Sequence, residues 1–122
     1  MSNPRILAVD DSASMRQMVA FALTSAGFDV VEAEDGLVAL DKAKKEKFNA
    51  VVADVNMPNM DGLTMVEKIR SELRNTTVNL IMLTTESSPN MKERGKAAGV
   101  KGWIVKPFKG PAVLETFKKL VA

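Results

Sequence analysis

The chain has 122 residues, the usual size of a single domain, and a net charge of +2, which is too small to indicate nucleic-acid binding. It contains neither cysteine nor histidine, which excludes disulfides, thiolate and imidazole metal ligands, and a phosphohistidine on this chain. No apolar run approaches the roughly 18 residues of a membrane span, and no signal peptide is recognisable. We therefore expect one cytoplasmic domain over residues 1–122, without membrane or nucleic-acid partners.

Short apolar runs alternate with helical patterns along the chain and predict the strands of a parallel sheet. The runs are Ile6–Val9, Val30–Ala33, Ala50–Ala53, Leu80–Leu83 and Trp103–Val105. Strands that alternate with helices through right-handed crossovers give an open, doubly wound α/β fold. At this size we expect a five-stranded sheet in the flavodoxin-like order 2-1-3-4-5.

Helical periodicity fills the gaps between these runs. The predicted helical segments run from Met15 to Ala26, Leu37 to Ala43, Leu63 to Leu73, Asn90 to Ala98 and Val113 to Val121. Met18 and Met65 are expected in the core, and Gly27 is placed to end the first helix. Asp35 opens the second helix, and Pro111 lies in the first turn of the last. The fourth helix is expected to be the most mobile, because a glycine inside it costs roughly 1 kcal/mol relative to alanine.

Polar residues follow four of the predicted strands. Asp10 and Asp11 end the first, Asp54 the third, Thr84 the fourth and Lys106 the fifth. Because ligands bind at the carboxyl edge of such a sheet, where the winding reverses, we expect these side chains to share one site. Carboxylates that close repel one another, and a hard divalent cation such as Mg²⁺ relieves the repulsion. A carboxylate nucleophile with Mg²⁺ and a lysine is typical of phosphoryl transfer onto an aspartate.

Each of these residues also has a purely structural interpretation. Asp10 and Asp11 could cap the first helix, and Asp54 could form a turn before Met57 and Pro58. Thr84 could reflect β-propensity, and Lys106 could be solvated surface. Their coincidence at one predicted edge favours the functional interpretation.

Four segments, taken together and in order, resemble a known family. They are Ile6–Ser12, Asp54–Gly62, Leu83–Thr85 and Lys106–Phe108. In combination they are similar to the motifs of a response-regulator receiver domain, and specifically of a stand-alone, CheY-like chemotaxis protein. The resemblance spans the chain and implies a receiver that catalyses its own phosphorylation and dephosphorylation, rather than an enzyme.

The resemblance implies a role for each matching residue. Asp54 matches the phosphoacceptor, and Lys106 would hold the phosphoryl oxygens. Asp11 and Asp54 would bind Mg²⁺ directly, together with the backbone carbonyl of Asn56. Asp10 would reach the metal mainly through water.

Further matching positions concern the switch and the lifetime of the signal. Thr84 would donate its hydroxyl to the phosphate, and Asn56 and Glu86 occupy positions that tune hydrolysis of the acyl phosphate in the family. Trp103 stands where the family usually carries a tyrosine or phenylalanine that turns inward on activation. An indole is larger and needs a partner for its N–H, so an inward-turning switch and a partial surface anchor both stay open. The Lys106–Pro107 bond is expected to be cis.

The resemblance also implies partners. The donor would be a CheA-type histidine kinase, and a phosphatase is a further candidate. The output surface would comprise the fourth helix, fifth strand and fifth helix, and it would bind a flagellar motor switch protein or another target. That half of the chain is rich in lysine: Lys92, Lys96, Lys101, Lys109, Lys118 and Lys119. We expect a monomer that acts in chemotaxis or, alternatively, a phosphorelay intermediate or phosphate sink without a motor target.

Three other classes of protein match the residues less well. A flavodoxin-like cofactor binder needs a glycine-rich phosphate loop, but Asp10, Asp11 and Ser12 follow the first strand. A haloacid-dehalogenase-like phosphatase carries a second aspartate two residues after its nucleophile, where Ser12 and Asn56 stand here. A DNA-binding regulator needs an effector domain, and the receiver pattern uses all 122 residues.

Overall fold

The computed structural model describes residues 3–106, 114–115 and 117–119. The strands in this part of the chain are β1 Arg5–Val9, β2 Asp29–Ala33, β3 Ala50–Ala53, β4 Asn79–Thr84 and β5 Val100–Val105. The helices that alternate with them are α1 Ala13–Ser25, α2 Gly36–Lys45, α3 Gly62–Ser71 and α4 Pro89–Ala97. Residues 114–115 and 117–119, where the last helix is predicted, are also helical. Pro111 lies outside the described residues.

The strands form one parallel sheet in the order β2-β1-β3-β4-β5. This confirms the predicted open, doubly wound, flavodoxin-like α/β fold. β1 lies between β2 and β3, with Ile6 paired to both Val30 and Ala50. The winding reverses between β1 and β3, so the loops that follow these two strands meet at one edge of the sheet.

The sheet is buried on both faces, as expected for a parallel sheet covered by helices. On one face, α2 and α3 pack over alternate strand residues such as Leu7, Val51 and Leu80. On the other face, α1 and Phe117 pack over Ile6 and Val52. Because alternate residues of each strand serve different helices, a shift of one residue would exchange the two cores, and the strand register is therefore well specified.

The apolar face of α1 is narrower than predicted. Met18 is 46% exposed, whereas Val19 and Leu23 are buried against the sheet. Successive helical residues point about 100° apart, so only one stripe reaches the core, and Met18 lies beside that stripe. Met65 of α3 is fully buried, as predicted.

β5 begins at Val100, before the predicted start at Trp103. It lies at an edge of the sheet, and Lys101 and Gly102 interrupt its apolar pattern. An edge strand needs no continuous apolar run, because one of its sides is not covered by another strand. Composition alone therefore located only the apolar second half of β5.

The described helix boundaries are set by polar caps and one glycine. Side chains of Ser12, Asp35, Asp61 and Ser88 accept hydrogen bonds from the first turns of α1 to α4. Gly27 has a φ of +99° just after α1, which confirms its predicted role in ending that helix. Among these helices none is long and apolar enough to cross a membrane.

Candidate functional site

Three carboxylates meet at the carboxyl edge of the sheet. Asp10 follows β1 and Asp54 follows β3, with exposed fractions of 5% and 8%, and Asp11 is exposed beside them. One carboxylate oxygen from each lies within 4.8 Å of the others. The structure thus brings together the three aspartates that the strand ends predict.

Lys106 follows β5 and reaches across the edge to both β1 and β3. Its Nζ donates hydrogen bonds to Asp10 Oδ2 at 2.9 Å and to Asp54 Oδ2 at 2.7 Å. Burial alone would lower the pKa of Lys106, but the hydrogen bonds and charges of Asp54 and Asp10 outweigh burial and raise that pKa above its usual value. The lysine is therefore charged at neutral pH and is not the solvated surface residue of the structural interpretation.

In the loop after β1, different residues cap α1 and form the carboxylate site. Ser12 caps α1, since its Oγ accepts the N–H of Met15 at 3.3 Å. Asp10 instead accepts the N–H of Ser12 on Oδ1 at 2.9 Å, which fixes its carboxylate beside Lys106. Neither Asp10 nor Asp11 is the helix cap, so the structural interpretation of this pair is wrong.

Thr84 ends β4 and is fully buried. Its Oγ1 accepts the N–H of Glu86 at 3.2 Å, which ties the threonine to the loop before α4. Thr84 also accepts the backbone N–H of Lys106 on its carbonyl at 2.9 Å, and this position and its complete burial separate it from a surface threonine that merely has β-propensity. The hydroxyl proton is free to point to another acceptor, because the Glu86 contact uses only an oxygen lone pair.

A chain of hydrogen bonds connects the loop after β3 with β5. Asn56 Nδ2 donates to Glu86 Oε1 at 2.9 Å, and Trp103 Nε1 donates to the backbone carbonyl of Glu86 at 2.8 Å. Asn56 N–H points to Asp54 Oδ1 at 3.4 Å. The Trp103 ring also packs on α4, where a Cβ at Gly95 would lie 3.1 Å from it. The half-buried indole thus has the partner that its N–H requires.

Three supports of the site were not found from the sequence. Arg16 donates to the backbone carbonyl of Asp10 at 2.7 Å. Asp35 accepts the N–H of Val38 at 2.9 Å and Asn59 Nδ2 at 2.8 Å; both bonds lower the pKa of Asp35, and the second holds the loop after β3 against α2. Gly62 lies so close to Asp54 that a Cβ would be 2.0 Å from the Asp54 carbonyl oxygen. Each is a contact between elements, and only the Asp-Gly pair at 61–62 carries a local turn signal.

The donor set suits a hard divalent cation. Three carboxylates against one ammonium leave an excess of two negative charges among Asp10, Asp11, Asp54 and Lys106. Carboxylate and carbonyl oxygens are the ligands that Mg²⁺ prefers, and the exposed Asp11 leaves room for bound water. These residues therefore fit Mg²⁺ in both charge and ligand type.

Two predictions extend beyond the described residues. Pro107, and with it the predicted cis bond, lies outside them, as does Lys109. Of the predicted basic surface, Lys92, Lys96 and Lys101 line a groove with Val100, Gly102 and Trp103. Lys118 and Lys119 are exposed in the helical residues near the C-terminus.

Comparisons with known proteins by sequence and by structure indicate the same family. The model of the response regulator receiver domain matches residues 6–118. Chemotaxis protein CheY-3 of Vibrio cholerae is 39% identical over 119 residues, which cover 97% of this chain and 92% of that protein. The structure of Vibrio cholerae chemotaxis protein CheY4 is 44% identical with a TM-score of 0.91, covering 98% of this chain and 99% of that one.

A further similar structure contains Mg²⁺ and BeF. Response regulator protein TrrA of Thermotoga maritima, in complex with Mg²⁺-BeF, is 30% identical with a TM-score of 0.84. The match covers 98% of this chain and 99% of that chain.

Proposed function

This chain belongs to the response regulator receiver domain family, and on that basis we propose that it accepts a phosphoryl group on Asp54. As a CheY-like receiver it is a signalling protein and not an enzyme. The observation that carries the proposal is the joint hydrogen bonding of Lys106 to Asp54 and Asp10 at the carboxyl edge of the sheet.

The chain's own residues prepare Asp54 as a nucleophile. Its carboxylate is nearly buried, and Lys106 and the Asn56 N–H fix its two oxygens. A carboxylate oxygen of Asp54 attacks phosphorus, the bond from phosphorus to the leaving group breaks, and the leaving group keeps that electron pair. This chain contains no histidine, so the phosphoryl group comes from elsewhere, and we assign a CheA-type histidine kinase as the donor.

Asp10, Asp11, Asp54 and the backbone carbonyl of Asn56 would hold Mg²⁺. When bound, Mg²⁺ neutralises charge on the phosphoryl oxygens during transfer. Lys106 already lies between two carboxylates, so its ammonium is positioned to pair with an oxygen of the incoming phosphoryl group. The Mg²⁺-BeF complex of TrrA supports this assignment through a homologous protein.

Thr84, Glu86 and Trp103 would transmit the change at Asp54. Thr84 would turn its hydroxyl to the phosphoryl group, and the loop that holds Glu86 would follow. Glu86 accepts hydrogen bonds from both Asn56, which lies two residues after Asp54, and the Trp103 indole. Glu86 therefore connects the loop that carries Asp54 with Trp103. A charge change at Asp54 would thereby shift the population between two conformations of the α4–β5 surface, which lies more than one element away.

The α4–β5 face is the proposed output surface. Lys92, Lys96 and Lys101 surround the half-buried ring of Trp103, which suits an acidic amphipathic helix. Similarity to CheY proteins favours a flagellar motor switch protein as the target and chemotaxis as the pathway. Binding of an acidic motor-switch peptide should strengthen on phosphorylation and weaken with salt. If neither change occurs, the alternative of a relay intermediate or phosphate sink is favoured.

Phosphorylation by acetyl phosphate tests the proposed acceptor. Wild type, Asp54→Asn and the control Asp41→Asn would be incubated with Mg²⁺ or with EDTA and run on a phosphate-retarding gel. Asp41 is an exposed helix residue paired with Lys45, so its variant has the same charge change outside the site. We expect a Mg²⁺-dependent shift in wild type and Asp41→Asn and no shift in Asp54→Asn. A persistent shift in Asp54→Asn would refute the assignment; absence of any shift would call for a kinase donor.

A further inference from the structure

Arg16 connects the metal-binding loop to the neighbouring strand. It lies in the second half of the first turn of α1, and its side chain is only 17% exposed. Nη1 donates to the backbone carbonyl of Asp10 at 2.7 Å, while Nε donates to Glu32 Oε1 of β2 at 3.2 Å. One guanidinium thus holds the loop and the strand together through two of its donors.

Glu32 is itself fixed in place. The backbone carbonyl of Glu32 accepts Lys42 Nζ of α2 at 2.5 Å, and the residue is part of the β1–β2 ladder opposite Ala8. The backbone that carries the Glu32 carboxylate is therefore held on the sheet. An anchored guanidinium loses little further freedom when it binds a second acceptor, which makes its contact with Asp10 a firm one.

The peptide group between Asp10 and Asp11 is the part that Arg16 controls. Its carbonyl is held by Arg16, and the preceding peptide is held through the N–H of Asp10, which donates to the Ala33 carbonyl at 3.2 Å. The two side chains on either side of this peptide belong to the carboxylate cluster. A change in the backbone torsion ψ of Asp10 would move its carbonyl and Asp11 relative to the Asp10 side chain, so holding the carbonyl restrains the directions of the two carboxylates relative to each other.

We propose that Arg16 is a positioning residue for the divalent cation, acting through the backbone of Asp10 and not through its own charge. This inference rests on the proposed function only in assigning the carboxylate cluster to Mg²⁺. The charge of Arg16 opposes cation binding, so its simple removal should tighten binding if electrostatics alone mattered. Loss of positioning should weaken Mg²⁺ binding. The two explanations therefore predict changes of opposite sign in the Mg²⁺ affinity when Arg16 is replaced.

Calorimetric titration of Mg²⁺ into the intact protein, without any phosphoryl donor, distinguishes these signs. Arg16→Met keeps the apolar stem and removes the guanidinium, and we expect Mg²⁺ to bind about tenfold more weakly, as for other losses of an outer-shell partner. Arg5→Met is the matched control, since Arg5 pairs with Glu46 and lies at the opposite end of β1. Its effect should stay within roughly twofold, as expected for distant sites.

Two further variants keep the test decisive if Arg16→Met is poorly folded. Arg16→Lys retains the charge but cannot reach both acceptors with a planar fork, and Glu32→Gln retains an acceptor oxygen without the charge. We expect weaker Mg²⁺ binding in Arg16→Lys and a smaller loss in Glu32→Gln. Unfolding by urea, measured on each variant, reports the purely structural part of each change.

Unchanged or tighter Mg²⁺ binding in folded Arg16→Met or Arg16→Lys would overturn the inference. This failure is distinct from failure of the proposed function, in which wild type would bind Mg²⁺ yet accept no phosphoryl group on Asp54 from any donor. Wild type that binds no Mg²⁺ would overturn both.

Discussion

Substitution of Gly62 by alanine should damage the proposed acceptor site directly. Gly62 opens α3 and donates its N–H to the Val55 carbonyl at 2.8 Å, which brings the helix against the end of β3. An added Cβ would lie 2.0 Å from the Asp54 carbonyl oxygen and 2.9 Å from its carbon. Both atoms are backbone, so no rotamer change relieves the clash.

The size of the effect follows from this distance. Real Cβ atoms essentially never approach another heavy atom closer than 3.0 Å, so the backbone must separate by at least about 1 Å from the 2.0 Å start. A misplacement of that size is able to slow a reaction by about 100-fold. Overpacking of this kind also destabilises proteins by typically about 1–3 kcal/mol.

The assay combines urea unfolding with the rate of phosphorylation by acetyl phosphate. Gly27→Ala is the control, because Gly27 has a φ of +99° and no atom near its missing Cβ. Its strained backbone should cost about 1–2 kcal/mol of stability and leave the phosphorylation rate unchanged. Gly62→Ala should lose both stability and rate. A folded Gly62→Ala protein that is phosphorylated at the wild-type rate would refute this reasoning.

Three further predictions concern pH, the indole and α4. The pKa of Asp35 is lowered in the folded protein by the hydrogen bonds from Val38 and Asn59, so its stabilising contribution is present above the unfolded pKa of 3.8 and is lost as pH falls through the lower folded value. Urea midpoints of wild type and Asp35→Asn should therefore differ at pH 7, and the difference should shrink as pH falls from 3.8 through the lower folded pKa; a constant difference would contradict this. Trp103→Phe should lose about 1 kcal/mol through the missing N–H contact with Glu86 and should change the lifetime of the acyl phosphate; equal lifetimes would uncouple Trp103 from the site. Trp103 fluorescence should also change on activation, and a constant signal would exclude an inward-turning ring. Amide hydrogens of α4 should exchange faster than those of α1, since Gly95 is the only buried residue of α4, and slower exchange would contradict the prediction.

Most of the fold and the centre of the site could be predicted from the sequence. Each interior strand is a short apolar run, and once the strands are parallel, the residues that follow them must share an edge. That reasoning predicts from the sequence alone that Asp10, Asp54, Thr84 and Lys106 lie together. The weakest strand prediction was β5, whose edge position relaxes the demand for apolar residues.

The supporting contacts could not be predicted in the same way. Arg16 and Glu32 are sixteen residues apart, and neither position carries a motif that announces their pairing. The Asp35 bond to Asn59 depends on how α2 approaches the loop after β3, which no local pattern specifies. Met18 shows the same limit, because periodicity identifies an apolar side of α1 but not which edge of that side the sheet covers.

The Lys106 contacts also relate the site to the order in which the chain is made. Lys106 lies 96 residues after Asp10 and 52 after Asp54, and it follows the last strand of the sheet. Until β5 has joined the sheet, the acidic edge lacks its counter-charge and the ammonium that would receive a phosphoryl oxygen. If Asp54 is the acceptor as proposed, a nascent or truncated chain that ends before Lys106 should therefore not be phosphorylated. Under the proposed function, competence to be phosphorylated therefore requires that β5 has joined the sheet and brought Lys106 to Asp54.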